Sequence, residues 1–532
     1  MRMLTVQTAS VQMDRPLDCF RLPARHVLSR TDDFEQKFDF STLFYDVFWS
    51  AGGAEVLCIG PPFRFGADAA ATLQFVALPS GIACQHVHER GEGAAENSRS
   101  LFRIRTPTGT TGLEIIIGQQ RHISAIQPNL SAVFADQDVL LVLSQNNRLE
   151  WIIDWINYHA RLFGFRAVLF LDNRSTAYEL DQIAQAIREN CAIDTCVVMA
   201  VDFPYGPLGN KNFGGRTDSN FLQVGIYEAA RHRFLTDARM VANFDIDELL
   251  VLRGGGDLWS IVHGGRRPVV VIPRFNTLGR LAPGVEPRHA LFDLVSRRSA
   301  VKPKWIVQPR FLSVDTQLHI HSVGPAKKRR MEPGGPLFIA HQLQISNGWN
   351  DPKRLIIDEE GLAASRTDSD LREHLDRAFP ADGRPAPHLW SVEGSRDANY
   401  LCHCAARALN AGDANAALHL ARHATAVDAD HYPGILLCAK ALRALGQDAE
   451  AAAAERRLVE LRPENPRFHA VMARYHARGG KLDRALASCE QGLTLAPDNA
   501  ELLALRATYV ETAATLAEKT QPLTTPPPPA AG

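Results

Sequence analysis

The chain has no excess of charge of either sign and no long apolar run. Its 58 lysines and arginines nearly balance 59 aspartates and glutamates, for a formal net charge of −1. Such a chain has no global field that would recruit nucleic acid, so no nucleic-acid partner is expected. No stretch approaches the roughly 18 apolar residues of a transmembrane helix, and the N-terminus lacks the apolar core of a signal peptide. We therefore expect a cytoplasmic protein, with peripheral attachment at the inner face of the membrane as the alternative.

Cysteine is also sparse, and its spacing is not that of a metal site. The nine cysteines are odd in number and scattered, with no C-x-x-C pair followed by a second pair at zinc spacing. Cys402 and Cys404 lie two residues apart on a predicted helix, where they face different directions. We expect buried, reduced thiols and no zinc site.

A chain of 532 residues exceeds what one hydrophobic core supports, so several domains are expected. Near the N-terminus, short apolar runs alternate with turn residues such as Gly60-Pro61-Pro62, which predicts a β-sandwich-like domain without an assigned role. The predicted organisation is a β-rich domain (1–135), an α/β domain (136–360), a Pro- and Gly-rich linker (361–396), a helical domain (397–515) and a disordered Pro-rich tail (516–532).

Strands alternate with helices in the second domain, which predicts a mostly parallel sheet covered on both faces. Strands are expected at 138–144, 166–171 and 194–201, with a fourth ending at Asp245, and helices at 151–163, 178–189 and 218–234. Polar residues follow two of these strands, at Asp172-Asn173 and at Asp245-Ile246-Asp247-Glu248. Because the carboxyl ends of parallel strands meet at one sheet edge, a ligand site is expected there.

The second acidic stretch is the main candidate for chemistry. Along an extended strand end, residues two apart point the same way, so Asp245 and Asp247 are expected to hold one hard divalent cation. Such a cation neutralises the charge that develops when a sugar leaves a nucleotide diphosphate. An Asp-x-Asp also occurs in ordinary acidic turns, so the surrounding motifs have to decide between the two.

The C-terminal part is repetitive. Gly412, Gly446 and Gly480 recur every 34 residues, and an alanine five residues after each glycine keeps the same period. A 34-residue unit of two helices, with small residues at their crossing, is the tetratricopeptide pattern, which predicts an all-α solenoid. Stacked units leave a concave face, so a protein partner or self-association through these repeats is expected.

Several motifs of the α/β domain occur in a fixed order. They are Asn146–His159, Leu169–Ser175, Phe244–Leu250, Val269–Gly279, Lys304–Pro309 and Ile339–His341, followed by Ser346 and Lys353. Together, over about 200 residues, they resemble glycosyltransferase family 92 and the related family-2-like transferases of GT-A fold. The resemblance implies a Rossmann-like mixed sheet, a nucleotide-diphosphate sugar donor, an inverting transfer, and a divalent metal, Mn²⁺ or else Mg²⁺.

The resemblance also implies roles for residues at matching positions. Asp245 and Asp247 would contact the metal and the nucleotide ribose, and Glu248 would orient them, which makes Asp247 and Glu248 the candidate catalytic residues. The donor side would include Asn146, Asp172, Asn173, Asp245 and Arg216, and the acceptor side Phe275, Asn276, Thr277 and Gly279. By analogy, the acceptor would be a glycan or a lipid-linked molecule, as in cell-surface polysaccharide synthesis.

Two histidines compete as a further metal ligand. His341 follows an apolar strand and resembles the C-terminal histidine of the family. In His319-Ile320-His321 both rings lie on one strand face, which is equally typical of a surface pair. We prefer His341 and keep His321 as the second candidate ligand.

Other residues retain two interpretations. Asp172 either faces the nucleotide base or closes an Asx-turn that caps the next helix. Arg216 either contacts phosphates or belongs, with Lys211, to a solvated Gly-rich loop. The basic run Lys327–Arg330 is either solvated or closes over an anionic ligand. Trp305 and Trp349 are candidates for stacking on a sugar ring, and for Trp305 packing in the core is the alternative.

The chain departs from the family pattern in two places. Gln145-Asn146-Asn147 replaces the usual Lys-Asn-Glu, and Phe275-Asn276-Thr277 replaces Phe-Gly-Ser. No second acidic pair fills the position of the general base, which is left unassigned. These departures motivate one alternative, a non-catalytic tetratricopeptide scaffold carrying a decayed transferase domain. A phosphodiester or nucleotide hydrolase using the same acidic edge is another.

Overall fold

The computed structural model describes most of the chain. The described residues are 1–13, 30, 34–63, 72–90, 99–207, 221–254, 257–263, 267–279, 286–296, 301–347, 365–379, 398–410 and 412–520. The chain divides into two compact units, Met1–Trp390 and Ser391–Gly532.

The first unit is rich in strands. Up to residue 125 these are β1 Arg2–Val6, β2 Val11–Gln12, β3 Thr42–Phe44, β4 Asp46–Trp49, β5 Glu55–Gly60, β6 Gln74–Leu78, β7 Ile82–Arg90, β8 Ser100–Arg105, β9 Gly112–Ile117 and β10 Gln120–Ala125. Next come β11 Asp138–Ser144, β12 Ala167–Asp172, β13 Thr195–Ala200, β14 Met240–Asn243, β15 Glu248–Leu252, β16 Val269–Leu278, β17 Leu294–Ser296, β18 Val301–Val307, β19 Gln317–Leu318, β20 Val323–Gly324, β21 Lys328–Arg330, β22 Leu337–Gln342 and β23 Ser365–Thr367.

Helices of this unit lie between the strands. They are α1 Phe34–Lys37, α2 Leu149–Phe163, α3 Leu180–Asn190, α4 Phe221–Ala230, α5 Leu258–His263 and α6 Ser369–Ala378. A π-helical segment, Arg231–Leu235, continues α4, and short 3-10 turns occur at Ser131–Val133, His289–Leu291 and Pro309–Phe311.

Twelve of the described strands form one mixed sheet, as expected for the central domain. Its parallel part has the order β1-β13-β12-β11-β14, and the antiparallel strands β18, β16, β17 and β23 continue it. Strands β21 and β22 pair in parallel with β16, and β15 pairs with β22. The strand order reverses between β11 and β14, so a crevice opens at their carboxyl ends, where an open α/β sheet binds ligands.

Strands β11 to β14 form close to where the sequence predicts strands, whereas β1 was not expected in this sheet. β11 coincides with the expected strand 138–144, and every residue of β12 is buried, as is typical of strands between two helical layers. Helix α2 ends at Phe163 and is followed by Gly164, whose φ of 72° suits a glycine after a helix. The helix expected at 218–234 is divided: α4 ends at Ala230, and wider π-helical turns follow it.

The β-rich region has its own sheet and its own core. Its strands follow the order β10-β9-β6-β7-β8-β5-β4 in one antiparallel sheet, with β2 and β3 as a separate pair. Residues from β6, β8, β5 and β9 share one apolar core, in which the rings of Phe75 and Phe102 lie 5.7 Å apart. Strand β7 pairs with β6 through Ile82–Cys84 and with β8 through Gln85–Arg90, so it connects the two halves of this sheet.

The predicted boundary of the first domain, 1–135, needs a correction. Strand β1 pairs in parallel with β13, from Arg2 beside Thr195 to Val6 beside Met199, so it is an edge strand of the central sheet. Moreover, the β-rich and α/β segments belong to one compact unit. A five-residue strand carries no sequence mark of its partner, because pairing register depends on distant residues.

The second unit is helical. Its described helices are α7 Ala398–Asn410, α8 Ala414–Val427, α9 Tyr432–Ala444, α10 Asp448–Leu461, α11 Pro466–Arg478, α12 Leu482–Leu495 and α13 Ala500–Thr520. Gly412, Gly446 and Gly480 lie between the helices of successive pairs, with φ of 82°, 72° and 70°, a conformation that glycine adopts without strain. The predicted repeat of helix pairs is confirmed. Among the described residues, no helix combines the length and the apolar character that crossing a bilayer requires.

Candidate active site

A polar cavity of about 190 Å³ opens at the carboxyl ends of β11, β12 and β14. Its wall includes Ser144, Gln145, Asn147, Asn173, Asp245 and Asp247 from the strand exits, and Arg274, His321 and Asn347 from later elements. The crevice expected from the strand order therefore contains the acidic stretch. Its wall offers amides, hydroxyls, carboxylates and cations.

Residues Asp245 to Glu248 form a turn and not an extended strand end. Strand β14 ends at Asn243, and β15 begins at Glu248. The Glu248 carboxylate accepts a hydrogen bond from the backbone N–H of Asp245 at 2.8 Å, and the Glu248 N–H donates to the Asp245 carbonyl at 3.0 Å. The alternation expected of an extended strand therefore does not apply, and Asp245 and Asp247 contact different partners.

Two buried cations neutralise Asp245 and Glu248. The Lys304 Nζ, on β18, lies 2.7 Å from Asp245 Oδ2 and 3.3 Å from Glu248 Oε2, while Arg274, on β16, pairs with the other Glu248 oxygen. Burial by itself would raise the pKa of Asp245, but the Lys304 ammonium, aided by Arg274, lowers it below the ordinary value. Asp245 is therefore an ionised carboxylate held on Lys304, with 35% of its side chain exposed.

Asp247 instead meets His341. The His341 Nε2 lies 3.1 Å from Asp247 Oδ2, and its Nδ1 lies 2.8 Å from the side-chain oxygen of Asn276. An amide oxygen only accepts, so His341 donates from Nδ1 to Asn276, and Nε2 has no hydrogen-bond partner within the described part of the chain. A carboxylate oxygen and an imidazole nitrogen this close together are ligand atoms that suit a divalent cation. Ligand atoms of Asp247, Glu248 and His341 lie within 4.8 Å of one another.

Asp172, at the exit of β12, closes a local turn. Its carboxylate accepts from the Ser175 hydroxyl at 2.6 Å and from the Ser175 backbone N–H at 3.1 Å. This matches the Asx-turn interpretation in part, because helix α3 begins later, at Leu180, and is capped by Glu179. Burial raises the pKa of Asp172 to about 6, against which the Ser175 hydrogen bonds act.

The two candidate asparagines of the donor side differ in position. Asn146 adopts a φ of 53°, and its side-chain oxygen accepts from the N–H groups of Thr176 at 2.7 Å and Ala177 at 3.0 Å. Asn173 lines the cavity, and its amide donates to the carbonyl of Val201 at 2.9 Å. The Asn146 side chain thus braces the loop after β12, whereas Asn173 faces the cavity.

His321 lies on the cavity wall without joining the Asp247–His341 pair. Its Nδ1 is 3.1 Å from the carbonyl of Pro303. Burial, together with the nearby Lys304 and Arg274, lowers the pKa of His321 to about 3, so the ring is neutral. The group of mutually close ligand atoms contains His341 and does not contain His321, within the residues that the structure describes.

The four predicted acceptor-side residues lie on different sides of β16. Asn276 contacts His341, as described above, whereas Phe275 lines a separate groove of about 460 Å³. Thr277 is buried, and a Cβ on Gly279 would come within 2.5 Å of a neighbouring backbone oxygen. Among the four, Asn276 is the residue in contact with the candidate metal ligands.

Sequence reasoning gave no role to Lys304 or Arg274. A lysine inside the buried half of β18 was the available signal, since an unpaired buried ammonium is costly. The sequence also gave no indication of a row of hydrogen bonds beside the cavity. They run from Tyr205 to Gln223 (3.1 Å), from Gln223 to Tyr227 (2.7 Å) and from Tyr227 to Asn243 (3.0 Å).

The other candidates are placed as follows. Trp305 is buried, and its Nε1 donates to the carbonyl of His319 at 2.7 Å. Lys328–Arg330, in the basic run, forms strand β21 beside β16. The predictions for Arg216, Lys211, Trp349 and Lys353 fall outside the described residues.

No protein-family profile and no curated protein matches the chain. Among solved structures, the first tetratricopeptide domain of human RPAP3 is 18% identical, with 23% of this chain and 97% of that chain covered and a TM-score of 0.22. The Sgt2 tetratricopeptide domain of Aspergillus fumigatus is 15% identical, covering 25% and 91%, with a TM-score of 0.24. An O-GlcNAc transferase mutant of Thermobaculum terrenum is 21% identical, covering 21% and 22%, with a TM-score of 0.20. All three matches are limited to a quarter of this chain or less.

Proposed function

We propose that the chain is a metal-dependent glycosyltransferase that moves a sugar from a nucleotide-diphosphate sugar to a glycan or lipid-linked acceptor, with inversion. The supporting observation is the pairing of Asp247 Oδ2 with His341 Nε2 at the strand-order reversal, beside a polar cavity. The ordered motifs that resemble glycosyltransferase family 92 agree with this location.

Asp247 and His341 would hold the divalent metal, Mn²⁺ or Mg²⁺. When bound, the metal supplies Lewis-acid stabilisation of the leaving diphosphate, which is worth several kcal/mol. Asn276 fixes the His341 tautomer through Nδ1, so that Nε2 is the ligating atom. This ligand pair replaces the expected pair Asp245 and Asp247, since Asp245 is engaged with Lys304.

Asp245 then has a different task. It is ionised, partly exposed and held in place by Lys304. It therefore suits a hydrogen bond from a hydroxyl of the nucleotide sugar, as the family resemblance implies for a ribose contact. Asn173, Gln145 and Asn147 line the same cavity. The Asn173 amide N–H groups bond to the Val201 and Phe203 carbonyls, so its side-chain oxygen suits a hydrogen bond from a nucleotide base or a sugar hydroxyl.

The helical unit would serve a separate function. A stacked array of helix pairs offers an extended surface, and tetratricopeptide domains with bound peptides occur among the similar solved structures, such as Spaghetti with an HSP90 peptide. We propose that this unit binds a protein partner or a second copy of the chain.

The test is Mn²⁺-stimulated hydrolysis of nucleotide sugars without an acceptor. A panel of donors is first screened for Mn²⁺-dependent thermal stabilisation, because a ligand of the folded state raises its apparent stability. Asp247→Ala should abolish turnover while the circular dichroism spectrum is retained, and Asp376→Ala, an exposed carboxylate of α6, is the matched control. Unchanged turnover in Asp247→Ala contradicts the assignment. Transfer to an added glycan distinguishes a transferase from a nucleotide hydrolase.

The pairing of Asp245 and Glu248 with Lys304 and Arg274 favours a second candidate, a scaffold with an inactive transferase domain. Internal cations reduce the negative charge that would attract a metal. Calorimetry with nucleoside diphosphates separates the candidates, since a scaffold shows no Mn²⁺-dependent heat of binding.

A further inference from the structure

Three side chains of helix α2 form hydrogen bonds with the backbone of β15, which follows the acidic turn. The Trp155 Nε1 donates to the Glu248 carbonyl at 3.1 Å, and the Tyr158 hydroxyl donates to the Leu250 carbonyl at 2.8 Å. The Leu250 N–H donates to His159 Nε2 at 3.3 Å. All three side chains are buried, so this part of the helix fixes the start of β15.

A closed set of hydrogen bonds connects the two candidate metal ligands. The His289 Nε2 donates to the Ile246 carbonyl, next to Asp247, at 2.8 Å. The side-chain amide of Gln342, next to His341, donates to the His289 carbonyl at 2.9 Å. The Gln342 N–H donates to the Asp247 carbonyl at 2.7 Å. His289 is thus bonded both to the turn that carries Asp247 and to the strand that carries His341.

On its other side, the His289 ring lies near helix α2. Its Nδ1 lies 3.8 Å from Asp154 Oδ2 of helix α2, and Arg288 binds both Asp154 oxygens at 2.7 Å. Burial alone would raise the pKa of Asp154, but the nearby His289 ring and the hydrogen-bonded Arg288 lower it, so the carboxylate is ionised. His289 is buried and therefore has little freedom to adopt another rotamer.

We propose that His289 is a positioning residue that sets the separation between Asp247 and His341, and thereby the affinity of the site for a divalent cation. The inference rests on the proposed function in so far as that function assigns the cation to this pair. His289 is not part of the group of mutually close ligand atoms; it acts through the Ile246 carbonyl and the Gln342 side chain.

The test compares His289→Leu, which removes the donor, with His289→Gln, whose amide can replace it. Two quantities are measured in the full chain: amide hydrogen exchange of peptides spanning residues 244–250, and Mn²⁺ affinity by calorimetry. His289→Leu should exchange faster and bind Mn²⁺ 10- to 100-fold more weakly, the usual cost of losing an outer partner of a metal ligand. His289→Gln should recover part of both, and His122→Leu, on β10, is the control.

Gln342→Met supplies a second variant in case His289→Leu does not fold. It removes the link to the His289 carbonyl and should weaken Mn²⁺ binding in the same direction. Unchanged exchange in His289→Leu, or faster exchange with wild-type Mn²⁺ affinity, overturns the proposal. If only Gln342→Met folds, a wild-type Mn²⁺ affinity of that variant also overturns the proposal. Absence of Mn²⁺ binding in the wild type is a different result: it overturns the proposed metal function, while the exchange data still decide whether His289 holds the turn.

Discussion

Two strand exits of the central sheet look alike in sequence and differ in structure. Asp172 opens the polar stretch after β12, and Asp245 opens the stretch after β14. At the first exit, the carboxylate is satisfied within its own turn by Ser175. At the second, the carboxylates meet side chains delivered by β16, β18 and β22. A carboxylate satisfied within its own turn depends on no distant residue, whereas a turn completed by distant strands gathers several charged side chains at one place, which is a feature of candidate functional sites.

The electrostatic consequences are opposite at the two exits. Burial raises the pKa of Asp172 to about 6, and the Ser175 hydrogen bonds offset this only in part. Burial acts on Asp245 in the same direction, but Lys304 reverses the outcome and lowers the pKa. The difference lies in whether a buried cation is in contact, which a local acidic motif does not reveal.

The largest effect is expected from removing that cation. Lys304→Met leaves Glu248 buried without one of its cations, which should lower the free energy of unfolding by about 3–5 kcal/mol. Urea unfolding measures the loss. Lys302→Met, an exposed lysine of the same strand, is the matched control and should stay within about 0.5 kcal/mol of wild type. Equal stability of the two variants would show that the second exit does not depend on Lys304.

A somewhat smaller effect is expected on metal affinity, which should depend on the second exit and not on the first. Asp247→Asn removes a charged ligand from the pair with His341, and the loss of about 3 kcal/mol of metal stabilisation corresponds to more than 100-fold in turnover and in Mn²⁺ affinity. Asp172→Asn, at the other exit, should leave both within about twofold, because its carboxylate bonds to Ser175. Calorimetric titration with Mn²⁺ checks this, and equal losses in the two variants would remove the distinction.

The features that local sequence patterns encode could be predicted from the sequence. The limits of β11 and the 34-residue period follow from runs and repeats that lie within a few dozen residues. Sequence reasoning named Asp247 and His341, but it paired Asp247 with Asp245 on the premise of an extended strand end, whereas the structure has a turn. It gave no role to Lys304, because that residue reaches the turn through antiparallel pairing of β18 with β14, and such register is not legible in one sequence.

A further test concerns the hydrogen bonds of Ser175 that hold the turn after β12. Ser175→Ala removes the hydroxyl that donates to Asp172 at 2.6 Å and accepts from the Asn146 N–H at 2.9 Å. Leaving two buried polar groups without their partner should cost about 2 kcal/mol of folding free energy. Thermal and urea unfolding measure this cost, and Mn²⁺ affinity should not change. A stable variant with weakened Mn²⁺ binding would instead connect this exit to the metal pair.

The smallest effect concerns pH and has opposite signs at the two exits. Folded Asp172 has a pKa of about 6 against an ordinary value of 3.8, so the folded state binds this proton more tightly than the unfolded state. Its ionisation therefore opposes folding at pH 7, and the penalty declines as pH falls through 6. Between pH 7 and pH 5, wild type should gain about 1 kcal/mol relative to Asp172→Asn in urea unfolding. Asp245, whose pKa is lowered, contributes stability above its ordinary pKa and loses it at lower pH, so a wild-type gain that disappears in Asp172→Asn belongs to the β12 exit alone. A difference between the two proteins that does not vary with pH would show that Asp172 keeps an ordinary pKa, and the electrostatic contrast between the exits would then rest on Lys304 alone.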